Sequence, residues 1–305
     1  MIHKHEFKAM GCHMLAVLDM PGEDQPAQLE QVPSLFEAWE QSLSRFRETS
    51  ELSQLNLSAG TPVQVSETLW DVLQESLLSE RRSLGLVTPA VLDALVMAGY
   101  DRSFNQLAPT SSYLTFDRAP VGLLSEILLD ESNRTVCLPP DLHLDFGGVA
   151  KGWAADQAAR KLSAFGPALV NAGGDIAISG PQSNGGAWPI GITNPFDPEE
   201  NLETLMIERG GVATSGKDYR RWQQDSVWQH HIIDPRTNLP AQTDVLTATV
   251  VAPSAVAAEV AAKVALISGS GAGLAWLESN SLAGMLVLED GERLYSQRIS
   301  EYLWS

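Results

Sequence analysis

LDFGGVAKGWAAD at Leu144–Asp156 and LVNAGGDIAISG at Leu169–Gly180 decide how this chain reads. The first is an apolar strand ending at Asp145, a Gly-Gly bend, and then a helix with Lys151 in its opening turn. The second is another apolar strand, a second Gly-Gly pair at Gly173 and Gly174, and a following carboxylate, Asp175. Glycines at strand ends let backbone N–H groups come close to a ligand, and a helix N-terminus favours an anion. Lys151 adds a full positive charge. Either bend alone could be a plain tight connection; together they read as the surroundings of a phosphate-bearing cofactor.

Working outward, the N-terminal half is helical in pattern. Lys8–Met20 reads as an entering strand and Pro21–Pro33 as a connection. Ser34–Arg47 places Leu35, Phe36, Trp39, Leu43 and Phe46 at helical spacing. Ser66–Leu84 forms a helix capped by Ser66, and Thr88–Tyr100 another with Pro89 in its first turn and Gly99 past its end. Asp101–Val121 is polar and irregular, a candidate surface excursion. From Ile127 onward short apolar runs alternate with turns: Thr135–Leu138, His143–Phe146, Ala168–Asn171, Ile176–Gly180, Trp188–Thr193, Leu202–Ile207, Val212–Ser215 and Leu246–Val251 read as strands. Gly152–Phe165 and Ser254–Ser268 are helices, a further one includes Leu274–Leu277, and Gly284–Leu288 with Arg293–Ser296 close a hairpin at Asp290-Gly291. The expectation is one α+β domain, helix-rich over residues 30–125 and sheet-rich over 126–305.

With 305 residues, 44% hydrophobic and 19% charged, the chain has the composition of a globular protein with a sizeable core. A net charge of −18 argues against nucleic acid and against an anionic membrane surface. Cys12 and Cys137 have no metal-site spacing and read as two thiols. No run reaches transmembrane length and the N-terminal stretch lacks the pattern of a secretory leader, so a cytoplasmic location is expected.

Three further segments carry chemistry. Val212–Arg221 (VATSGKDYRR) leads a strand into Thr214 and Ser215, hydroxyls that can meet a phosphate or sugar. Gln229–Pro240 (QHHIIDPRTNLP) places His231 and Ile233 on one strand face, with Asp234 at the tip before Pro235. Glu259 and Lys263 stand four apart, a favourable helical ion pair. Their neighbours are nearly all Ala and Val, so the pair would be buried, which is costly unless compensated.

In order, FKAMGC (Phe7–Cys12), SRFRETSELSQLN (Ser44–Asn56), GLVTPAVLDAL (Gly85–Leu95), the two opening segments, VATSGKDYRRW, HHIIDPRTNLP and AEVAAKVALISG (Ala258–Gly269) resemble the ApbE family, the FAD:protein FMN transferases. The resemblance implies a mixed sheet core flanked by helices in an ApbE-like, T-fold-like architecture. It also implies a reaction, transfer of FMN from FAD to a Ser or Thr hydroxyl of a target protein with release of AMP, assisted by Mg²⁺. By motif, Met10, Phe46, Leu86, Val87, Thr88, Asp145, Lys151 and Ile233 match FAD-contacting positions. Gly173, Gly174, Thr214 and Ser215 join them as cofactor candidates. His231 is the candidate proton acceptor, with Asp234 supporting it. The carbonyl of Gly148 matches a metal-ligand position.

Against the family pattern, Phe46 replaces a usual tyrosine, Thr88 a usual aspartate and Asn238 a glycine. The metal-binding aspartate and threonine of the late helix are replaced by Glu259 and Lys263. A protonated lysine cannot ligate Mg²⁺. Either Lys263 supplies the charge itself, or a metal shifts toward Glu259, or the chain binds FAD without transferring FMN, as a carrier or regulator. An FAD pyrophosphatase and a structural protein with ordinary glycine turns are the remaining alternatives.

Overall fold

The computed structural model describes residues 1–107, 124–224 and 226–304. The expected excursion Asp101–Val121 lies outside these from residue 108 onward. The chain divides into two compact units built from interleaved segments: 1–36, 151–218 and 243–305 form one, and 37–150 with 219–242 form the other. The expected helix-rich and sheet-rich stretches do not coincide with these units, because 219–242 belong with 37–150.

The first unit is organised by an eight-stranded sheet. Its strands are Ile2–Ala9, Cys12–Asp19, Ala168–Ala172, Asp175–Ile178, Gly210–Gly216, Val245–Ala252, Ala283–Leu288 and Arg293–Tyr295, neighbours in that order. Every pairing is antiparallel, which corrects the expected mixed sheet; the α+β class stands. Antiparallel neighbours need only tight turns, and three of the connections are tight turns.

Strand alternation separates the two faces of this sheet. Val212 and Val251 belong to a core with Trp188, Ile190, Leu205 and Ile207, contributed by the hairpin Trp188–Asn194 and Asp197–Ile207. Ala213 and Ala252 instead pack with Ala258. Ala258 lies on the helix Ala255–Ser268, and small residues there let helix and sheet approach closely.

Seven α-helices occur among the described residues: α1 (Ala27–Leu43), α2 (Glu51–Leu57), α3 (Glu67–Arg82), α4 (Leu92–Met97), α5 (Ala150–Leu162), α6 (Ala255–Ser268) and α7 (Ser270–Ser279). None is long and apolar enough to cross a membrane. Ser66 and Ser254 cap α3 and α6 through their hydroxyls, as the sequence predicts. α1 starts earlier than expected and runs through Pro33. Burial of Leu29, Val32 and Phe36 on its inner face offsets the hydrogen bond that proline cannot make. α4 is shorter than the expected Thr88–Tyr100, because residues before Leu92 form turns.

Lys8–Met20 is a hairpin rather than one strand. Ala9 pairs with Cys12 across Met10 (φ 47°) and Gly11 (φ 68°). Two positive-φ residues give a two-residue turn matching strand twist, but Met-Gly is not a standard turn signal.

In the second unit, Val63–Gln64, Thr135–Cys137 and Leu128–Asp130 form a small antiparallel sheet. The expected strand His143–Phe146 has no strand partner among the described residues. Asn56 stands in for one: its amide accepts from the Leu144 N–H at 2.8 Å and donates to the Leu144 carbonyl at 2.9 Å. This ties down the backbone immediately before Asp145. Asn56→Ala should strand both buried groups and lower unfolding stability by about 2–4 kcal/mol, measurable by urea denaturation. A loss below 0.5 kcal/mol would show that the loop is held by other means.

Candidate functional site

In the first unit the chemistry collects where α5, α6 and the second diglycine meet. Gly173 (φ 66°) and Gly174 (φ 102°) form the two-residue turn between Ala172 and Asp175. A Cβ on Gly173 would lie 2.7 Å from the Cys12 side chain. Glycine is therefore required here by the turn itself. The turn delivers Asp175 to the start of its strand, 2% exposed.

The Lys151 Nζ donates to Asp175 Oδ2 and, at 3.3 Å, to Glu259 Oε1. Lys263 Nζ donates to the same Glu259 Oε1 at 2.9 Å. Glu259 Oε2 accepts the Gly152 N–H at 3.0 Å. Asp156 on α5 accepts the Ala255 and Val256 N–H groups at 2.9 and 3.0 Å. Each helix thus lends a carboxylate to the first turn of the other, where N–H groups lack intrahelical partners and the dipole is positive. A Cβ on Gly152 would stand 2.7 Å from Val256 Cα, so only glycine allows this approach. In the sequence Asp156 carries no signal beyond its place in the same helix as Lys151.

Burial is the largest single influence on each of these three groups, but it decides the outcome only for Asp175. It would lower the pKa of Lys151, but Asp175 and Glu259 outweigh it and hold the ammonium well above its ordinary range. It raises Asp175, to about 6, aided by repulsion from Glu259 and opposed by Lys151. It would raise Glu259, but Lys151 and Lys263 hold that carboxyl down at about 2.

A divalent cation does not fit here. Glu259 is 1% exposed and both its oxygens are engaged by donors of the chain itself. A dication about 4 Å from one ammonium would meet a repulsion of roughly 8 kcal/mol at an effective dielectric of 20. Among the described residues, no group of three or more His, Cys, Asp or Glu side chains could hold a metal ion. Thr214 and Ser215 lie within the strand rather than at a strand-ending turn; Thr214 Oγ1 meets Thr249 Oγ1 at 2.9 Å and Ser215 is buried.

In the second unit, Val87, Thr88, Asp145 and Gly148 line one recess with Ser76, Pro89 and Val149. Leu86 is half-buried beside it in sequence. Asp145 is gripped by Arg45 (Nε to Oδ2, 2.7 Å) and accepts the Gly147 N–H at 2.8 Å. The Arg45 guanidinium lies 4.1 Å from the Phe46 ring centre and 4.6 Å from that of Tyr100. Tyr100 continues to Trp222 at 5.2 Å. Phe46 remains 39% exposed, an available aromatic face. Arg45 is not legible as a site residue from sequence, because an arginine next to an aromatic carries no signal until Asp145 is brought to it.

His231 is half-buried at a bend after the strand Val227–His230, and Ile233–Asp234 forms a separate short strand with Leu239–Pro240. The continuous strand expected through His231 and Ile232 is broken there. Ile233 is buried with Leu95, Tyr100 and Trp222. The Asp234 carboxylate accepts from the Arg236 backbone and guanidinium, at 2.8 to 3.2 Å, which closes the turn after Pro235.

Two stability predictions follow from these ion pairs. Glu259 is more acidic in the fold than in the unfolded chain, so its contribution is complete above pH 4.5 and fades as pH falls toward 2. The stability gap between the wild type and Glu259→Gln should narrow across that window by a few kcal/mol, read by denaturant titration at each pH. Asp175 has the opposite sign, its contribution present below about pH 4 and lost through about pH 6, so the windows separate. A constant gap would refute the pairing. Arg45→Leu leaves Asp145 uncompensated and should cost about 3–5 kcal/mol, with Asp145→Asn in the same background recovering part of it. No recovery in the double variant would mean that the two groups are uncoupled.

Residues 10–286 match the sequence profile of the ApbE family. FAD:protein FMN transferases of Vibrio cholerae and Treponema pallidum are each 30% identical to this chain; the alignments cover 87% and 85% of it, and 81% and 76% of those relatives. A flavin transferase ApbE from Vibrio cholerae has the same fold at TM-score 0.81, with 25% identity and 99% of both chains covered. The ApbE protein of Thermotoga maritima matches at TM-score 0.89 with 23% identity over 100% of each chain. With its motifs in order, its profile match and its fold all agreeing, the chain belongs to the ApbE family.

Proposed function

We propose that this chain is an FAD:protein FMN transferase, moving FMN from FAD to a Ser or Thr hydroxyl of a target protein. The observation that carries the reading is its similarity, along more than four-fifths of its length, to transferases of that activity. The hydroxyl oxygen attacks the FMN-side phosphorus, a new O–P bond forms, and the bond to the bridging oxygen breaks. AMP leaves with that oxygen, and the hydroxyl proton passes to a base. We assign the base to His231, with Asp234 holding the turn beside it. Phosphoryl transfer of this kind rests on positioning and on neutralising charge at the phosphates.

For cofactor contact we assign Phe46, whose open face suits a planar ring, with Leu86, Val87, Thr88, Asp145 and Ile233 in the second unit. In the first unit we assign Met10, Lys151, Gly173, Gly174, Thr214 and Ser215. Met10 is in a left-handed conformation that costs energy for a non-glycine residue. Lys151 is held protonated beside the second diglycine. The thiols of Cys12 and Cys137, which form no disulfide among the described residues, suit a reducing, cytoplasmic compartment.

The test is incubation with FAD and an acceptor protein of a related transferase. The expected outcome is flavin fluorescence that stays with the acceptor after denaturation, a mass gain of FMN less water, and one AMP released per label. FMN and AMP without labelling would make the chain a pyrophosphatase. Binding of FAD without cleavage would make it a carrier, and neither binding nor cleavage would end the reading.

A further inference from the structure

The buried cluster of the first unit departs from what its family leads one to expect, and the departure has a direction. Resting on the transferase reading above, we propose that the Lys263 ammonium, together with that of Lys151, replaces the divalent cation, so that the charge neutralising the FAD diphosphate is built into the chain. Glu259 would be the natural anchor of a metal, yet Oε1 accepts from both lysines and Oε2 from the Gly152 N–H. Lys263 is its closest charged partner at 2.9 Å, one helical turn away on α6. Such a pair cannot rearrange to admit an ion without uncovering a buried ammonium.

The two lysine side chains are also the more accessible members of the cluster. Glu259 is sealed, with its side chain 1% exposed, whereas the side chains of Lys151 and Lys263 keep 18% and 15% exposure. An anion entering the cluster would therefore meet the lysine side chains before the carboxylates. A tethered ammonium pre-oriented by a buried carboxylate stabilises developing phosphate charge without reorganising during the reaction. Unlike a metal, it cannot be lost to a chelator. Two lysines in separate helices, with α5 and α6 locked by the reciprocal Glu259 and Asp156 contacts, hold that charge in a fixed place.

The experiment reads metal binding and metal dependence separately. In electron paramagnetic resonance titrations with Mn²⁺, the wild-type protein without FAD should leave the free-ion signal at its buffer intensity. The Glu259→Asp/Lys263→Thr double variant should deplete it. In the transfer assay, wild-type activity should stay within about two-fold when EDTA replaces Mg²⁺. Lys263→Met should lose about 100-fold or more while still quenching flavin fluorescence, and the double variant should recover only with Mg²⁺. Stoichiometric Mn²⁺ binding by the wild type, or abolition of its activity by EDTA with restoration by Mg²⁺, would overturn the proposal and leave the transferase reading intact. Absence of FMN transfer with and without metal would instead bring down the transferase reading, and this proposal with it. The two wild-type measurements decide the matter even if the Lys263 variants do not fold.

Discussion

A carboxylate that cannot reach water governs the first unit. Glu259 lies inside a helix whose other residues, apart from Lys263 and the terminal Ser268, are apolar, and an isolated charge there would be prohibitively costly. It is tolerated because two ammonium groups and a backbone N–H converge on it. That requirement propagates. It demands glycine at position 152, so that α5 can come close enough to donate, and it demands that Lys151 stay protonated. Asp156 answers from the other side by capping α6. The crossing of the two helices is fixed by polar contacts at their first turns, and apolar packing fills in around them.

The second unit solves a comparable problem with different groups. Its irregular segment ahead of the first diglycine would leave backbone groups without partners, and the Asn56 amide supplies both. Asp145, at the end of that segment, is neutralised by Arg45, whose guanidinium is itself covered by Phe46 and Tyr100. Arg45 Nη2 has no hydrogen-bond partner among the described residues. A buried guanidinium with a spare donor is a polar group left only partly satisfied. In both units a buried cation beside a carboxylate marks the place where the family motifs fall.

The Glu259–Lys263 pair also departs from the family pattern in a consistent direction. Exchanging a threonine for lysine adds a charge of the same sign as the ion it would displace; under the proposal above, the diphosphate would meet that charge instead of a metal. The longer glutamate gives the reach to pair with that lysine while still accepting the Gly152 N–H. Each change alone would leave a buried charge poorly compensated; the pair is coherent.

The order of motifs, the α+β class, the caps at Ser66 and Ser254, and the presence of an expensive Glu259–Lys263 pair were all legible in the amino-acid sequence, because each rests on local spacing or on contrast with immediate neighbours. Pro33 inside a helix, the Met10-Gly11 hairpin and the break at His231 were not, since local propensity there is overruled by packing or by an uncommon turn. Antiparallel pairing throughout the sheet, the reciprocal caps of Glu259 and Asp156, the Asn56 bridge and the Arg45–Asp145 pair were decided only in the tertiary structure. They join residues between 88 and 108 positions apart, or close on a partner that carries no signal until the chain brings it near. Sequence spacing reports what lies along one helix or strand. Which charges end up sharing a site depends on how those elements cross.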